Sequence, residues 1–201
     1  GGAGPLDAQF FVAALTGEDQ LRQRVAFALS QILVVSENGI PNIPTTPEVE
    51  PRVALAGYLN LLSDHAFGNF RDLLEAVTRS PAMGRYLDTV NNRAFDRNSQ
   101  RIEPNENYAR EMLQLFTLGL YKLNLDGTPQ TDANGARIPA YTEAQVQGFA
   151  HALSGWTYRG AKCPLQGMGN TVNYTEPMMG CDVNHDERSQ ELLRGVRTAE
   201  G

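Results

Sequence analysis

Apolar side chains recur every three or four residues through most of this chain, a spacing that predicts helices rather than strands. Asp7 to Leu15 reads as a short amphipathic helix. Thr16-Gly17-Glu18-Asp19 then has the form of a capping box with Asp in place of the usual Glu, since a Thr hydroxyl can satisfy an orphan amide of a first turn. Leu21, Val25, Leu29, Ile32 and Leu33 would form the inner face of the helix that follows, with Arg22 and Arg24 turned away. Asn38-Gly39 is expected to stop it, and Pro41, Pro44 and Pro47 to hold an extended linker. A second helix is expected from about Glu48 to His65. A third opens at Asn69 with Phe70, Leu73, Leu74 and Val77 inside. A short fourth starts at Ser80-Pro81, where Ser is a good cap and Pro suits the first helical position.

The stretch from Pro104 to Gly119 carries the most information. Tyr108, Met112 and Leu115 form one apolar row and Leu113, Phe116 and Leu120 another, so this helix is expected to be buried over most of its circumference. Glu106, Arg110 and Gln114 make a polar stripe along it, with Asn107 and Glu111 beside them. Asp126-Gly127 and Asn134-Gly135 then predict turns in a small β-hairpin or ordered loop over 123–141. Thr142-Glu143-Ala144-Gln145 is a second capping box, opening a helix with Val146, Phe149, Ala150 and Leu153 inside and Gly155 at its end. Residues 157–184 read as a Cys-containing loop, and Asn184-His185-Asp186 leads to a last short helix near Ser189 to Arg194.

Composition narrows the class. The 201 residues are 41% hydrophobic and 20% charged, with a net charge of −6, a globular balance that argues against an electrostatic grip on nucleic acid or anionic lipid. No apolar run reaches the roughly 20 residues of a membrane span. Cys163 and Cys181 suit a disulfide in an oxidising compartment, contributing about 3 kcal/mol in the chain-entropy model; the alternative is two unpaired thiols. The expected fold is all-α: one helical domain over 1–201, a bundle around the Pro104 helix, wrapped by the Gln20, Glu48, Asn69 and Glu143 helices, with the hairpin as an insertion.

Several segments together resemble a large bacterial family known only as domain of unknown function eighteen hundred. They are Gln20 to Gln31, Ser80-Pro81-Ala82-Met83, the Asn105-Glu106-Asn107-Tyr108-Ala109-Arg110-Glu111 helix, Tyr141-Thr142-Glu143 through Leu153-Ser154-Gly155-Trp156, and His185-Asp186. Family members are usually longer at both ends, and this chain opens without an initiator Met, so it is expected to be an internal portion. The family's His-Asp motif usually continues with Gly and Lys, whereas here Glu187-Arg188-Ser189-Gln190 follow. The resemblance implies a mostly helical, often exported protein, often encoded beside a sulfatase-like protein. It implies no reaction.

Each candidate site has a structural alternative. Glu106, Arg110, Glu111, His185 and Asp186 could converge as a catalytic cluster, with Asn107 and Gln114 binding; carboxylates beside an arginine can acquire the shifted pKa values that acid–base work needs. The alternative is a buried network that fixes packing, with His185 and Asp186 capping a helix. His185 with carboxylates would suit iron, manganese or zinc, although no spacing of a known metal motif is present, and the cofactor is unknown. Met178, Met179, Cys181 and His185 are soft ligands that would suit copper, or else a tethered loop packed through its methionines. Asp126, Asp132 and Asn134 offer oxygens for calcium, or turn chemistry. His151 is expected to be solvated or hydrogen-bonded. Two functions follow: an exported scaffold or partner-binding module, acting with a sulfatase-like protein, or a metal-dependent or acid–base enzyme.

Overall fold

The computed structural model describes residues 6–41, 50–96, 98–163 and 171–199. The Pro44–Pro47 linker and the Glu48 helix start lie outside them. The chain is mostly helical. Its helices are α1 (Leu6–Thr16), α2 (Gln20–Ile32), α3 (Pro51–Asp64), α4 (Phe70–Thr78), α5 (Pro81–Tyr86), α6 (Asn107–Glu111) and α7 (Glu143–Ala152). Two short strands, β1 (Trp156–Thr157) and β2 (Met179–Gly180), make the one regular sheet among the described residues. The chain divides into two compact units. One runs up to Tyr86 and adds Tyr158–Ala161 and the segment ending at Met179. The other comprises Leu87–Thr157, the Cys163 segment and the chain from Gly180 onward.

In the first unit α3 packs on α2, α4 and α5, and Ala54, Tyr58 and Leu62, at helical spacing, are its buried face. Tyr58 donates its hydroxyl to the Leu33 carbonyl at 2.7 Å, which satisfies the one polar atom of a buried ring. Asn69 caps α4 as expected, its side chain accepting from the Arg71 amide, and Pro81 opens α5. The first expected capping box does not form. Thr16 belongs to the end of α1 and donates back to the Val12 carbonyl, and Asp19 precedes α2 without a side-chain cap. Arg22 is not turned away either; it donates to the Ser63 carbonyl at 2.7 Å and stacks over Phe67. No residue of α2 is fully buried. Its main packing among the described residues is on α1 and α3; Leu21 and Ile32 stay exposed, and Leu33, just past its end, is enclosed.

In the second unit α6 packs on α7 through Ala109, Leu113, Val146 and Ala150, with Met112, Tyr141, Phe149 and Leu193 around them. The long rod expected from Pro104 is shorter and changes pitch. After α6 the chain continues as a π-helical turn, Met112–Thr117, in which the Leu118 amide reaches the Leu113 carbonyl five residues back. That wider turn rotates the side chains out of α-helical register. Tyr108, Leu113 and Phe116 are buried, whereas Leu115, 59% exposed, and Leu120 face outward, so the burial expected over most of the circumference is confined to one side. Of the four helices expected to wrap it, α7 packs on α6 in this unit; the Gln20, Glu48 and Asn69 helices belong to the first.

The second capping box is complete: Thr142 Oγ1 accepts from the Gln145 amide and Gln145 Oε1 accepts from the Thr142 amide. The 123–141 segment forms two tight hairpins. Leu123 bridges Pro129 around Gly127, and Thr131 bridges Arg137 around Gly135, with Tyr121 and Pro139 closing their base. Asp126 and Asp132 build these turns by accepting from Thr128 and from Asn134 and Ala136, the expected turn chemistry. The expected last helix at Ser189–Arg194 is instead a small hairpin in which Glu191 bridges Arg197, and Arg194 adopts a left-handed φ of 56° that no α-helix tolerates. Cys163 and Cys181 are joined in a disulfide.

Candidate functional site

The polar centre of the second unit is Asp186, whose side chain is 0% exposed. Four elements bring partners to it. The turn after Phe95, tied by Asp96 Oδ1 to the amides of Asn98 and Gln100, delivers Arg101, whose Nη1 donates to Asp186 Oδ2 at 2.8 Å. The chain immediately following brings Arg188 back, its amide and Nε donating to Oδ1 at 3.1 Å and its Nη2 to Oδ2 at 2.7 Å. The last turn of α7 presents His151, with Nδ1 2.7 Å from Asp186 Oδ2, an ion-pair approach without hydrogen-bond alignment. Past the end of α7, Ser154 Oγ donates to the His151 carbonyl and accepts from the Asp186 amide, locking the two residues in register. Burial by itself would raise the Asp186 carboxyl, but hydrogen bonds from Arg188 and Arg101 hold it far below the usual carboxylate range. The other face of His151 turns outward: Nε2 lies 3.0 Å from Glu103 Oε2, a carboxylate 80% exposed. His151 thus stands between the interior carboxylate of Asp186 and the surface carboxylate of Glu103, and only its Glu103 side is hydrogen-bonded.

The sequence-predicted cluster divides. Glu106 and Arg110 do pair, at 2.6 Å, but the third member is Glu143 at the start of α7, also at 2.6 Å, and not Glu111. Arg110 is 37% exposed, so this is a surface clamp between α6 and α7 rather than a buried site. The hydrogen bond to Glu143 raises Arg110 further above its ordinary range, against a smaller opposing effect of desolvation, and the same bond lowers Glu143. Glu111 has one carboxylate oxygen enclosed and without a hydrogen-bond partner. Asn107 donates to Asp88 at 3.0 Å. The Gln114 side chain takes part in no hydrogen bond among the described residues. His185 joins none of the ion pairs among the described residues: its Nδ1 donates to the Ser154 carbonyl at 2.9 Å, and its backbone packs against Gly155. No hydrogen bond or ion pair among the described residues links Glu106, Arg110 or Glu111 to His185 or Asp186. Of the five expected catalytic residues, only Asp186 lies in the charged centre. His151, Arg101, Arg188 and Glu103 were not singled out for it, and only the solitary His on α7 gave a local signal.

No group of three His, Cys, Asp or Glu side chains that could hold a metal ion is gathered among the described residues. The soft-ligand set for copper is altered at its core, since Cys181 is in the disulfide and its sulfur accepts from Asn184 Nδ2.

Together these features define a mostly helical protein with a disulfide-closed loop and one buried, multiply paired carboxylate. The family model described as "Protein of unknown function (DUF1800)" matches residues 4–201, and the chain belongs to that family. No curated protein and no solved structure matches it.

Proposed function

We propose that this protein is an exported bacterial partner-binding module that docks through the double-hairpin lobe after α6. The observation that supports this is a run of five leucines, Leu115, Leu118, Leu120, Leu123 and Leu125, all exposed, the last fully so. Single exposed apolar residues are ordinary, but five within eleven positions concentrate apolar surface of the kind partners cover. The turns hold the lobe through Asp126 and Asp132, so little order has to be gained on binding. The disulfide favours an oxidising compartment, periplasmic or extracellular, and no helix of the described residues is long and apolar enough to cross a membrane. The family's sulfatase-like neighbour is the partner to test. Mixed with this protein it is expected to co-elute on size exclusion. The Leu123→Asp/Leu125→Asp variant is expected to bind at least about thirtyfold more weakly, roughly 2 kcal/mol, with unchanged circular dichroism. Wild-type protein that elutes alone, or a variant that binds equally well, ends this assignment.

The enzyme alternative keeps one supporting observation, the Asp186–His151–Glu103 line. On that reading His151 is the general base, with Asp186 against its inner nitrogen and Glu103 covering Nε2. Glu103→Ala is then expected to speed carbethoxylation of His151 by diethyl pyrocarbonate, read by mass spectrometry. No modification of His151 in either protein would mean that its Nε2 is closed to reagent and substrate alike.

A further inference from the structure

The Cys163–Cys181 bridge is unequal at its two ends. Cys181, just after β2, is 2% exposed, whereas Cys163 is exposed. The backbone fixes the inner cysteine. Its amide donates to the Gly155 carbonyl at 2.8 Å, and its carbonyl accepts from the Asn184 amide at 2.9 Å. The next residues, Asp182–Asn184, form a single 3-10 turn, a geometry in which side chains three positions apart eclipse. That spacing brings Asn184 back over Cys181, and its Nδ2 donates to Cys181 Sγ at 3.2 Å. Asn184 is buried as well, so this N–H faces the sulfur away from solvent. Neutral sulfur is a weak acceptor, and the donor gains little from the intact bridge. An anionic thiolate at the same place takes that hydrogen bond far more strongly. The inner end of the bridge is thus built to accept negative charge, and the outer end is open to a reagent.

We propose that this bridge is a thiol-exchange site, entered at Cys163 by the thiolate of an external dithiol, with Cys181 as the leaving group. The attacking thiolate forms a new bond to Cys163 Sγ, the Cys163–Cys181 bond breaks, and its electron pair goes to Cys181 Sγ, where Asn184 Nδ2 meets the charge. The second thiolate of the dithiol then attacks its own sulfur in the mixed disulfide and releases Cys163. The bridge gains two electrons and two protons, and the dithiol is oxidised to a disulfide. Attack at Cys181 is closed by its burial. Exchange unties cysteines 18 positions apart. It depends on neither the leucine lobe nor His151.

The folded whole chain, treated at neutral pH without denaturant with millimolar reduced glutathione, tests this. Early samples are quenched in acid, their free thiols are labelled with N-ethylmaleimide, and their peptides are mapped by mass spectrometry. Glutathione is expected on Cys163 and maleimide on Cys181, at least about tenfold over the reverse, at a rate proportional to glutathione. Dithiothreitol in its place is expected to leave maleimide on both cysteines. Asn184→Ala is expected to slow the glutathione step at least about fivefold, because the leaving thiolate loses its donor. Loosening of the fold would speed reduction instead, so slowing reports on the lost hydrogen bond; circular dichroism checks the fold, and the wild-type positions of the labels stand without the variant. Glutathione divided equally between the two cysteines, reaction only at urea concentrations that unfold the chain, or an unchanged rate in natively folded Asn184→Ala would each overturn the proposal.

Discussion

Gly155→Ala is expected to destabilise the second unit by about 3–4 kcal/mol, summing a strained backbone and an overfilled contact. Gly155 has φ of +91°, and a Cβ built there would lie 2.9 Å from His185 Cβ and 3.1 Å from its backbone nitrogen. The chain cannot easily move away, because both backbone groups are held: the Gly155 amide donates to the Asn92 carbonyl and its own carbonyl accepts from the Cys181 amide, each at 2.8 Å. Gly195→Ala, in the same unit, serves as the comparison. Its φ is +71°, but no atom lies within 4 Å of the added carbon, so only the conformational strain of roughly 1–2 kcal/mol is expected. Urea unfolding followed by fluorescence of the single tryptophan, Trp156, reports on the unit that contains Gly155. Equal losses in the two variants would mean that the His185 contact is not tight.

Asp186→Asn is the second large effect, expected at about 2–3 kcal/mol. Removing one member of a buried pair costs about 3–5 kcal/mol when the charges left behind are also buried. Here Arg101 and Arg188 keep 38% and 52% exposure, so water compensates them in part, and the lower figure applies. The pH dependence identifies the cause. Asp186 is depressed in the folded protein, so its contribution is complete above the unfolded value near pH 4 and is lost as pH falls through the folded value. The stability gap between wild type and Asp186→Asn should therefore stay constant from neutral pH down to about pH 4 and close only in stronger acid. A gap that closes between about pH 7 and pH 5 would assign the effect to a different group.

Local chemistry was legible in the sequence where one residue type decides the outcome. Asn69 and the Thr142–Gln145 box cap helices because their side-chain oxygens lie one turn from free amides, whatever the rest of the chain does. Gly127 and Gly135 turn the chain where they stand, at φ of +83° and +81°. Periodicity misled after Met112, because apolar spacing was projected on an α-helical wheel and the backbone there is wound with five-residue hydrogen bonds. It misled again at Thr16, where the motif was present but the hydroxyl turned back to the preceding helix. The ion pairs divided similarly. Glu106–Arg110, four residues apart on one helix, was readable, whereas Arg110–Glu143 was not.

By itself, then, the sequence determined helical content, caps, turns, the family and the presence of two cysteines able to pair, since each follows from neighbours within a few positions. The tertiary structure alone decided that Asp186 is the charged centre, that His151 and Arg101 attend it, and that His185 does not. Arg101 and Asp186 are 85 residues apart. A carboxylate finds its mates according to which segments folding excludes from water together, and no spacing along the chain encodes that.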